Sequence, residues 1–371
     1  MRRQCWYDAL VERIASYIAR RVRGWHSLLL VAGLSLCLVL LGDGAIAQKS
    51  GDAIAKTPLW RIAQSLPETD STETTTDMTP TNAGVYHFKV GDFNAMVVSD
   101  GTLSFPASFF VPNADPAAVT AVLTEHFLST ENIFAHLNAL YIETDEHKVL
   151  VDTGAGNAFG PTAGHLLENL ATAGITAADI DTVILTHAHP DHIGGVLDAD
   201  GQLRFPNAQF YISQAESDFW LADTVEIPDA LVDEETKSGI IAAAKANLSA
   251  MGDRATLFAM GDEVVPNIQA VDSSGHTPGQ ASFLITSGEE SLLSTGDVFF
   301  SDPLNLENPD WEVAFDGDPE QGVAARRELL ETATSERRLL LVPHMPFPGL
   351  GHVRTQDSAY GWEPIVWRFS V

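Results

Sequence analysis

The chain contains 371 residues, of which 45% are apolar, so it can bury a large core and is not disordered as a whole. Its 50 acidic residues outnumber the 21 Lys and Arg residues and give a formal net charge of -29. Such a charge repels phosphate backbones, so no nucleic-acid partner is expected. The two cysteines, Cys5 and Cys37, both lie near the N-terminus. A metal site elsewhere in the chain must therefore use histidine and carboxylate ligands.

An apolar run over residues 27–41 follows a basic segment and precedes the small-residue pattern Ala45-Ile46-Ala47. This arrangement is typical of a secretory signal peptide, and the run is shorter than the roughly 20 residues that span a bilayer. We therefore predict a signal peptide over residues 1–47, cleaved after Ala47. The mature protein is then periplasmic or secreted, with no stable membrane association. A retained membrane anchor is the alternative.

Residues 48–83 are polar and rich in threonine and acidic residues, which predicts a disordered tether. No second linker of this kind follows, so residues 84–371 are predicted to form one domain. Within it, short apolar runs at 148–151, 182–185, 291–293 and 339–342 end in small or polar residues, as buried strands do. Helical patterns at 164–173 and 321–332 lie between them. The mixture predicts a layered α/β fold with chemistry at strand ends.

The segment His187-Ala188-His189-Pro190-Asp191-His192 directly follows one of these strands and carries the predicted chemistry. Four potential ligands this close together cannot all point the same way, so a turning loop can deliver them to two neighbouring metal ions. Further candidate ligands are His276 in Gly275-His276-Thr277-Pro278-Gly279, Asp297 after Gly296, and His344 after Pro343. Imidazole and carboxylate ligands suit Zn²⁺ and are also used by Fe, Mn or Co. We predict a site for two divalent metal ions, with Zn²⁺ favoured.

These motifs together resemble those of the metallo-β-lactamase superfamily, and Val151-Asp152-Thr153-Gly154 is similar to its first motif. The resemblance extends from about residue 85 to the C-terminus. Several further segments resemble the methyl parathion hydrolase branch: Gly91-Asp92-Phe93, Ser99-Asp100-Gly101-Thr102, Phe159-Gly160-Pro161-Thr162, Asp218-Phe219-Trp220, and Pro346-Phe347-Pro348-Gly349 with Gly351-His352.

The resemblance implies an αββα sandwich with a dinuclear metal site at the sheet edge. It implies one metal on His187, His189 and His276, and a second on Asp191, His192 and His344, with Asp297 bridging both. A cysteine in the second site, as in many β-lactamases, is impossible here, and the bridging carboxylate also disfavours lactamase activity. A histidine, His189, stands where an acidic residue would suggest a di-iron redox site. Hydrolysis is therefore favoured.

Two cations about 3.5–4 Å apart share a water and lower its pKa toward about 7, so a metal-bridging hydroxide is the expected nucleophile. Asp191 and Asp297 are the predicted catalytic residues; Asp191 is first a ligand, and a proton-shuttling role for it is the weaker alternative. Asp152 is predicted to orient the ligands from behind, as carboxylates commonly do for ligating imidazoles. His352, eight residues after His344, could reach the cleft in a similar supporting role.

The aromatic residues that flank the ligand motifs are predicted to line an apolar substrate pocket, although aromatic side chains by default pack in the core. These residues are Phe159, Trp220, Phe300 and Phe347.

The leading interpretation is a hydrolase of small apolar lactones, esters or phosphotriesters, so the predicted partner is a small-molecule substrate. A glyoxalase II-type thioesterase is the alternative, but its anionic thiol conjugate needs a cationic subsite, and Lys and Arg are scarce in this chain. A metal-stabilised binding protein without turnover is a third, less favoured interpretation. Whether the protein forms a homodimer is left open by the sequence.

Overall fold

The computed structural model describes residues 82–369, apart from residues 228–233, 314 and 358. The predicted signal peptide at 1–47 lies outside the described residues, and so does the predicted tether apart from its last two positions. Ala83–Val371 is one compact unit, and its first strand begins at Val85. No helix in the described part of the chain is both long and apolar enough to cross a membrane.

The described strands form two sheets of seven. The first sheet contains β1 (Val85–Val90), β2 (Phe93–Pro106), β3 (Asn132–Glu143), β4 (Lys148–Val151), β5 (Thr182–Ile184), β6 (Gln209–Ser213) and β7 (Ala255–Phe258). The second contains β8 (Glu263–Val265), β9 (Ile268–Asp272), β10 (Ala281–Ser287), β11 (Glu290–Ser294), β12 (Leu339–Leu341), β13 (Leu350–Gln356) and β14 (Ala359–Pro364). In both sheets, strands that are consecutive in the chain are neighbours in space.

The described α-helices are α1 (Ala107–Phe110), α2 (Pro116–Glu125), α3 (Leu166–Thr172), α4 (Pro190–Ile193), α5 (Gln214–Leu221), α6 (Glu234–Met251) and α7 (Pro319–Glu336). A π-helix spans Asp302–Leu306, and 3-10 turns lie at Gly160–Thr162, Ala177–Asp179 and Gly252–Arg254. Side chains cap two of the helices: Asp115 accepts from the first turn of α2, and Asp318 does so for α7.

Three of the four clusters of buried apolar side chains lie in successive layers, because the central strands are apolar on both faces. Val149 and Val151 of β4 pack between the two sheets, whereas Leu150 points to the outer face of the first sheet. Leu170 of α3 and Ile240 of α6 cover that outer face. On the far side, leucines of α7 pack against β11 and β12. The resulting order of helices, sheet, sheet and helix confirms the expected αββα sandwich.

The predicted strands at 148–151, 182–185, 291–293 and 339–342 are confirmed as β4, β5, β11 and β12, within one residue at each end. The predicted helices are α3 and α7, with different bounds. The helix predicted at 321–332 begins earlier, because Pro319 occupies the first turn after the Asp318 cap, and it ends only at Glu336.

Parallel pairing of neighbouring strands places the candidate ligands at one edge of the two sheets. Strands β4 to β7 are parallel neighbours, and so are β11 and β12, so that the ends of neighbouring strands lie side by side. His187, Asp297 and His344 each stand three residues after the end of their strand, β5, β11 and β12 respectively. The backbone N–H of Ala281 donates to the carbonyl of Thr186 at 3.0 Å and so links the two sheets at this edge.

Truncation of Phe283, which is buried between the sheets on β10, tests the layer assignment. We expect Phe283→Ala to lower the free energy of unfolding by about 3–5 kcal/mol, because it removes contacts and leaves a cavity. Phe134→Ala is the matched control, since Phe134 is 61% exposed, and it should change stability by no more than about 0.5 kcal/mol. Denaturant unfolding measures the free energy of unfolding of each variant. Equal losses of stability in the two variants would contradict the core assignment.

Candidate metal centre

Three histidines form the first group of candidate ligands: His187, His189 and His276. One ring nitrogen from each lies within 4.8 Å of the others, and all three side chains are buried. The rings meet nearly edge to face, with centroids 4.7–5.0 Å apart. His189 Nδ1 lies 2.9 Å from His276 Nε2. This convergence of nitrogen atoms from two separate loops suits a single cation.

The second group contains Asp191, His192, Asp297 and His344, whose ligand atoms also lie within 4.8 Å of one another. His192 Nε2 is 3.1 Å from Asp297 Oδ1, and His344 Nε2 is 2.9 Å from Asp297 Oδ2. Asp191 Oδ2 lies 3.7 Å from His192 Nε2 and 3.6 Å from His344 Nε2. Asp191 is the least buried member, because α4 begins at Pro190 and presents it on the first turn.

Asp297 lies between the two groups. Besides its contacts in the second group, its Oδ2 atom is 3.5 Å from His276 Nε2 and 3.9 Å from His187 Nε2. Its two oxygens therefore face nitrogens of both groups. The sequence-predicted set of seven residues is brought together as two adjacent clusters joined by this carboxylate.

Hydrogen bonds behind the rings decide which nitrogen faces the cluster. His192 Nδ1 is 2.8 Å from Asp152 Oδ2, and His276 Nδ1 is 2.9 Å from Asp316 Oδ1. His344 Nδ1 donates to the carbonyl oxygen of His136 at 2.7 Å. An acceptor at Nδ1 places the proton there and leaves the Nε2 lone pair for a cation.

The two remaining histidines, His187 and His189, present different ring nitrogens to the cluster. His187 Nδ1 lies 3.0 Å from Thr186 Oγ1, and that hydroxyl donates in turn to Asp152 at 2.9 Å. His187 thus also presents Nε2 to the cluster, whereas His189 presents Nδ1, the atom that faces His276.

Buried polar atoms that lack a hydrogen-bond partner indicate whether these residues fit metal ions. His187 Nε2, His192 Nε2 and Asp297 Oδ1 are fully buried and have no hydrogen-bond partner of suitable geometry among the described residues. A buried polar atom without a partner costs about 1–3 kcal/mol, and more if it is charged. All three belong to the two clusters, so bound cations would satisfy them. The donor set of imidazoles and carboxylates fits divalent metal ions.

Burial and charge set the protonation of these groups. Burial lowers the pKa of His187 and His189 well below the usual value, which keeps them neutral, as metal ligands must be. Burial alone would raise the pKa of Asp297, but the neighbouring His192 and His344 hold it well below its usual range. The Asp297 carboxylate therefore stays ionised, and its charge in turn raises the pKa of His192 and His344 above the usual value, against the effect of burial.

Asp152 lies where the sequence predicted it, behind the ligands. It follows β4 with a backbone φ of +62°, a left-handed conformation uncommon outside glycine. Its carboxylate accepts from the backbone N–H and hydroxyl of Thr186 and pairs with His192. It therefore connects the loop after β5 to a ring of the second group.

His352 does not join the site, which corrects the sequence-based expectation. Its ring is exposed, and its Nδ1 atom lies 3.1 Å from the carbonyl oxygens of Arg337 and Arg338. The reason is that successive side chains of β13 point to opposite faces of the sheet. Gly351 and Val353 are buried, so the side chain between them points outward.

The four aromatic residues differ in their placement. Phe300 stacks on His344 with ring centroids 4.6 Å apart and an interplanar angle of 3°. Trp220 has its ring centroid 5.8 Å from that of His189, but it is only 1% exposed. It therefore packs behind His189 without an open pocket face, which departs from the prediction. Phe159 is buried and Phe347 is half-buried, and their roles in a pocket stay predictions.

A narrow cavity of about 10 Å³, the room that one water molecule needs, lies beside the second group. Asp191, His192 and His344 line it together with Asn138 and Leu137. It leads to Asp191, the least buried carboxylate of the site.

Sequence reasoning missed two buried carboxylates that contact ligands or their loops. Asp316 bonds His276 from a loop 40 residues away in the chain. Glu216 on α5 accepts from the backbone N–H of Ala188, between two candidate ligands. The spacing Ser213-x-x-Glu216 signals only a helix start, so no local pattern could have identified the second contact.

A family model of the metallo-beta-lactamase superfamily matches residues 135–344. The chain therefore belongs to this superfamily, and it is a hydrolase of the metallo-β-lactamase fold. The methyl parathion hydrolase branch within it stays a prediction.

Individual relatives agree with this assignment. The N-acyl homoserine lactonase AiiA of Bacillus thuringiensis subsp. kurstaki is 27% identical over 261 residues, which cover 64% of this chain and 92% of the relative. The structure of AidC, a dizinc quorum-quenching lactonase in complex with a product, is similar with a TM-score of 0.73 and 30% identity. That match covers 77% of this chain and 98% of AidC. The hydrolase AbOPH also has a TM-score of 0.73, at 28% identity, covering 78% and 99% of the two chains.

Replacement of the carboxylates behind the rings tests the two-group geometry. We expect Asp152→Asn to weaken metal binding at the group that contains His192, and Asp316→Asn at the group that contains His276, each by about 10–100-fold. The reason is that an amide is a poorer acceptor for the Nδ1 proton. Zinc titration in competition with a chromophoric chelator measures the affinities.

The control is Asp310→Asn, because Asp310 is exposed and its side chain pairs with Arg327, which is not a candidate ligand. It should bind zinc as the unaltered protein does. Wild-type affinity in both buried variants would show that these carboxylates do not support the ligands.

Proposed function

We propose that this protein is a dinuclear metal-dependent hydrolase that acts on small apolar lactones, esters or phosphotriesters. The observation that carries the proposal is the position of Asp297, whose oxygens face nitrogens of both ligand groups within 4 Å. A carboxylate so placed is suited to bridge two cations and to reduce their mutual repulsion. The first group would hold one ion and the second group the other.

Two divalent cations bound here would supply Lewis acidity and a water of lowered pKa. The residues of the chain contribute orientation and charge. Asp152, Asp316 and the carbonyl of His136 hold the imidazole tautomers, so the Nε2 lone pairs face the centre. Asp191 is the ligand with the largest exposed fraction, and it borders the cavity, which suits it to accept or donate a proton during turnover.

Zinc is the metal we propose. The donor set of five histidines and two aspartates, with no cysteine, suits Zn²⁺ and does not exclude Mn, Fe or Co. The similar lactonase AidC is a dizinc protein.

A lactone or ester is the substrate class that the surroundings favour. AiiA and AidC are lactonases, and the apolar side chain of Leu137 lines the cavity beside His344. The net charge of -29 disfavours strongly anionic substrates such as a thiol conjugate. Because the sequence predicts a signal peptide for export, we also propose that the protein acts in the periplasm or outside the cell.

Metal content and the Asp297→Asn variant test the dinuclear proposal. We expect about two metal ions per chain by elemental analysis, loss of activity on chelation and recovery on adding Zn²⁺. Asp297→Asn should lower kcat by at least about a hundredfold, because an amide cannot neutralise two cations. At most one ion per chain in active enzyme, or near-normal turnover of the variant with full metal content, would refute it.

A substrate panel tests the class of reaction. We expect kcat/KM to be highest for N-acyl homoserine lactones or aryl esters, and at least tenfold lower for a glutathione thioester with the same acyl group. A preference for the thioester would instead support the thioesterase alternative.

A further inference from the structure

Glu216 is a fully buried carboxylate that joins the two loops carrying the first ligand group. Its Oε1 atom accepts from the backbone N–H of Ala188 at 2.9 Å and from the indole N–H of Trp220 at 2.6 Å. Its Oε2 atom accepts from the hydroxyl of Thr277 at 2.8 Å and from the backbone N–H of Gly279 at 3.0 Å. Both oxygens are thus fully used, and three of the four donors belong to ligand-bearing loops.

The neighbours of these donors are candidate ligands. Ala188 lies between His187 and His189, and Thr277 directly follows His276. A single side chain therefore ties the loop after β5 to the loop between β9 and β10, and these two loops supply the whole first group.

The helix start that carries Glu216 departs from the usual arrangement. Ser213 caps α5 and accepts from the backbone N–H of Glu216 at 3.1 Å. In a capping box the glutamate at this position would turn back to the N-cap backbone. Here its carboxylate points instead to the ligand loops, and the Ser213 hydroxyl donates to the carbonyl of Gly279 at 2.6 Å.

Close packing leaves the loop little freedom to move away. A Cβ atom on Gly279 would lie 2.1 Å from the backbone nitrogen of Glu216, so only glycine fits at this contact. The first turn of α5 and the loop that carries His276 are therefore in direct backbone contact. The carboxylate fixes their separation from the loop that carries His189.

We propose that Glu216 is a positioning residue that sets the metal affinity of the His187, His189 and His276 group and leaves the second group largely unaffected. This inference rests on the proposed dinuclear function. It follows from the contacts, because the hydrogen bonds of Glu216 reach Ala188, between two ligands of the first group, and Thr277, beside the third. In the second group, Asp297 and His344 stand on loops from β11 and β12, whereas Asp191 and His192 stand on α4, where Asp152 holds the His192 ring.

An amide cannot replace the carboxylate at this position. Each oxygen of Glu216 faces two donors, so a glutamine must turn its NH₂ group toward two other N–H or O–H groups whichever way it is oriented. Glu216→Gln is nearly isosteric and therefore tests hydrogen bonding without a change of volume.

Zinc titration of Glu216→Gln, in competition with a chelator, is the central experiment. We expect one of the two sites to weaken by about 10–100-fold and the other to stay within about threefold of the unaltered protein. Anomalous diffraction from crystals of the variant at limiting zinc should show the ion retained beside Asp191 and His344. Loss of the ion there, with the first group filled, would overturn the proposal.

Asp100→Asn is the matched control for the loss of a buried carboxylate. Asp100 is 1% exposed and accepts from the backbone N–H groups of Ala155, Gly164 and Leu166, none of which adjoins a ligand of the first group. We expect this variant to melt at a lower temperature but to keep the affinity of the first group. If Glu216→Gln also lowers only the melting temperature, with both zinc affinities unchanged, the residue is merely structural and the proposal fails.

Thr277→Val keeps the proposal testable if Glu216→Gln does not fold. It removes one donor to Glu216 and preserves side-chain volume, and it should weaken the same site severalfold. Unchanged affinity in this variant would overturn the inference. Fewer than two zinc ions on the unaltered protein would instead refute the proposed function itself, so the two failures can be told apart.

Discussion

The removal of the ligand side chains from water is the constraint on which the rest of the site depends. Asp297 is 2% exposed and lies among imidazole nitrogens, and six of the seven candidate ligands are buried. A buried carboxylate without compensation costs several kcal/mol, so the cluster is stable only if cations or protons neutralise it. Two divalent ions provide that charge and also satisfy the buried ring nitrogens that lack a hydrogen-bond partner among the described residues.

The same constraint extends outward from the clusters into the fold. The rings of His192, His276 and His344 have an acceptor on the nitrogen that points away from the clusters, and those acceptors come from distant elements. Asp152 follows β4, the carbonyl of His136 lies on β3, and Asp316 lies before α7. Both sheets must therefore be assembled before the ligands are oriented. Because the folded state alone presents this arrangement, metal binding is expected to stabilise the fold as well.

The seven candidate ligands could be predicted from the sequence because their signals are local. Four of them lie within one short segment, and the others stand in tight turns or directly after strands, where apolar runs end in His or Asp. The resemblance to a known superfamily supplied the pairing of ligands with metals. The pattern of short apolar runs separated by helical segments predicted a layered α/β fold, and the resemblance supplied the αββα sandwich.

The residues that could not be predicted act across long stretches of chain. Glu216 and Thr277 are 61 positions apart, and only the folded packing of α5 on the β9–β10 loop brings them together. His352 was misplaced because its distance from His344 in the chain says nothing about which face of β13 it occupies. Trp220 shows a third limit, since apolar composition does not distinguish a core residue from a pocket wall.

The central claim is that the two side-chain groups hold two metal ions bridged by Asp297. Anomalous diffraction at the zinc edge, from crystals of the zinc-loaded protein, tests it most directly. The account predicts two peaks at similar occupancy, one within coordination distance of His187, His189 and His276, and one within that distance of Asp191, His192 and His344. A single peak at full zinc saturation, or a second peak away from Asp297, would contradict it.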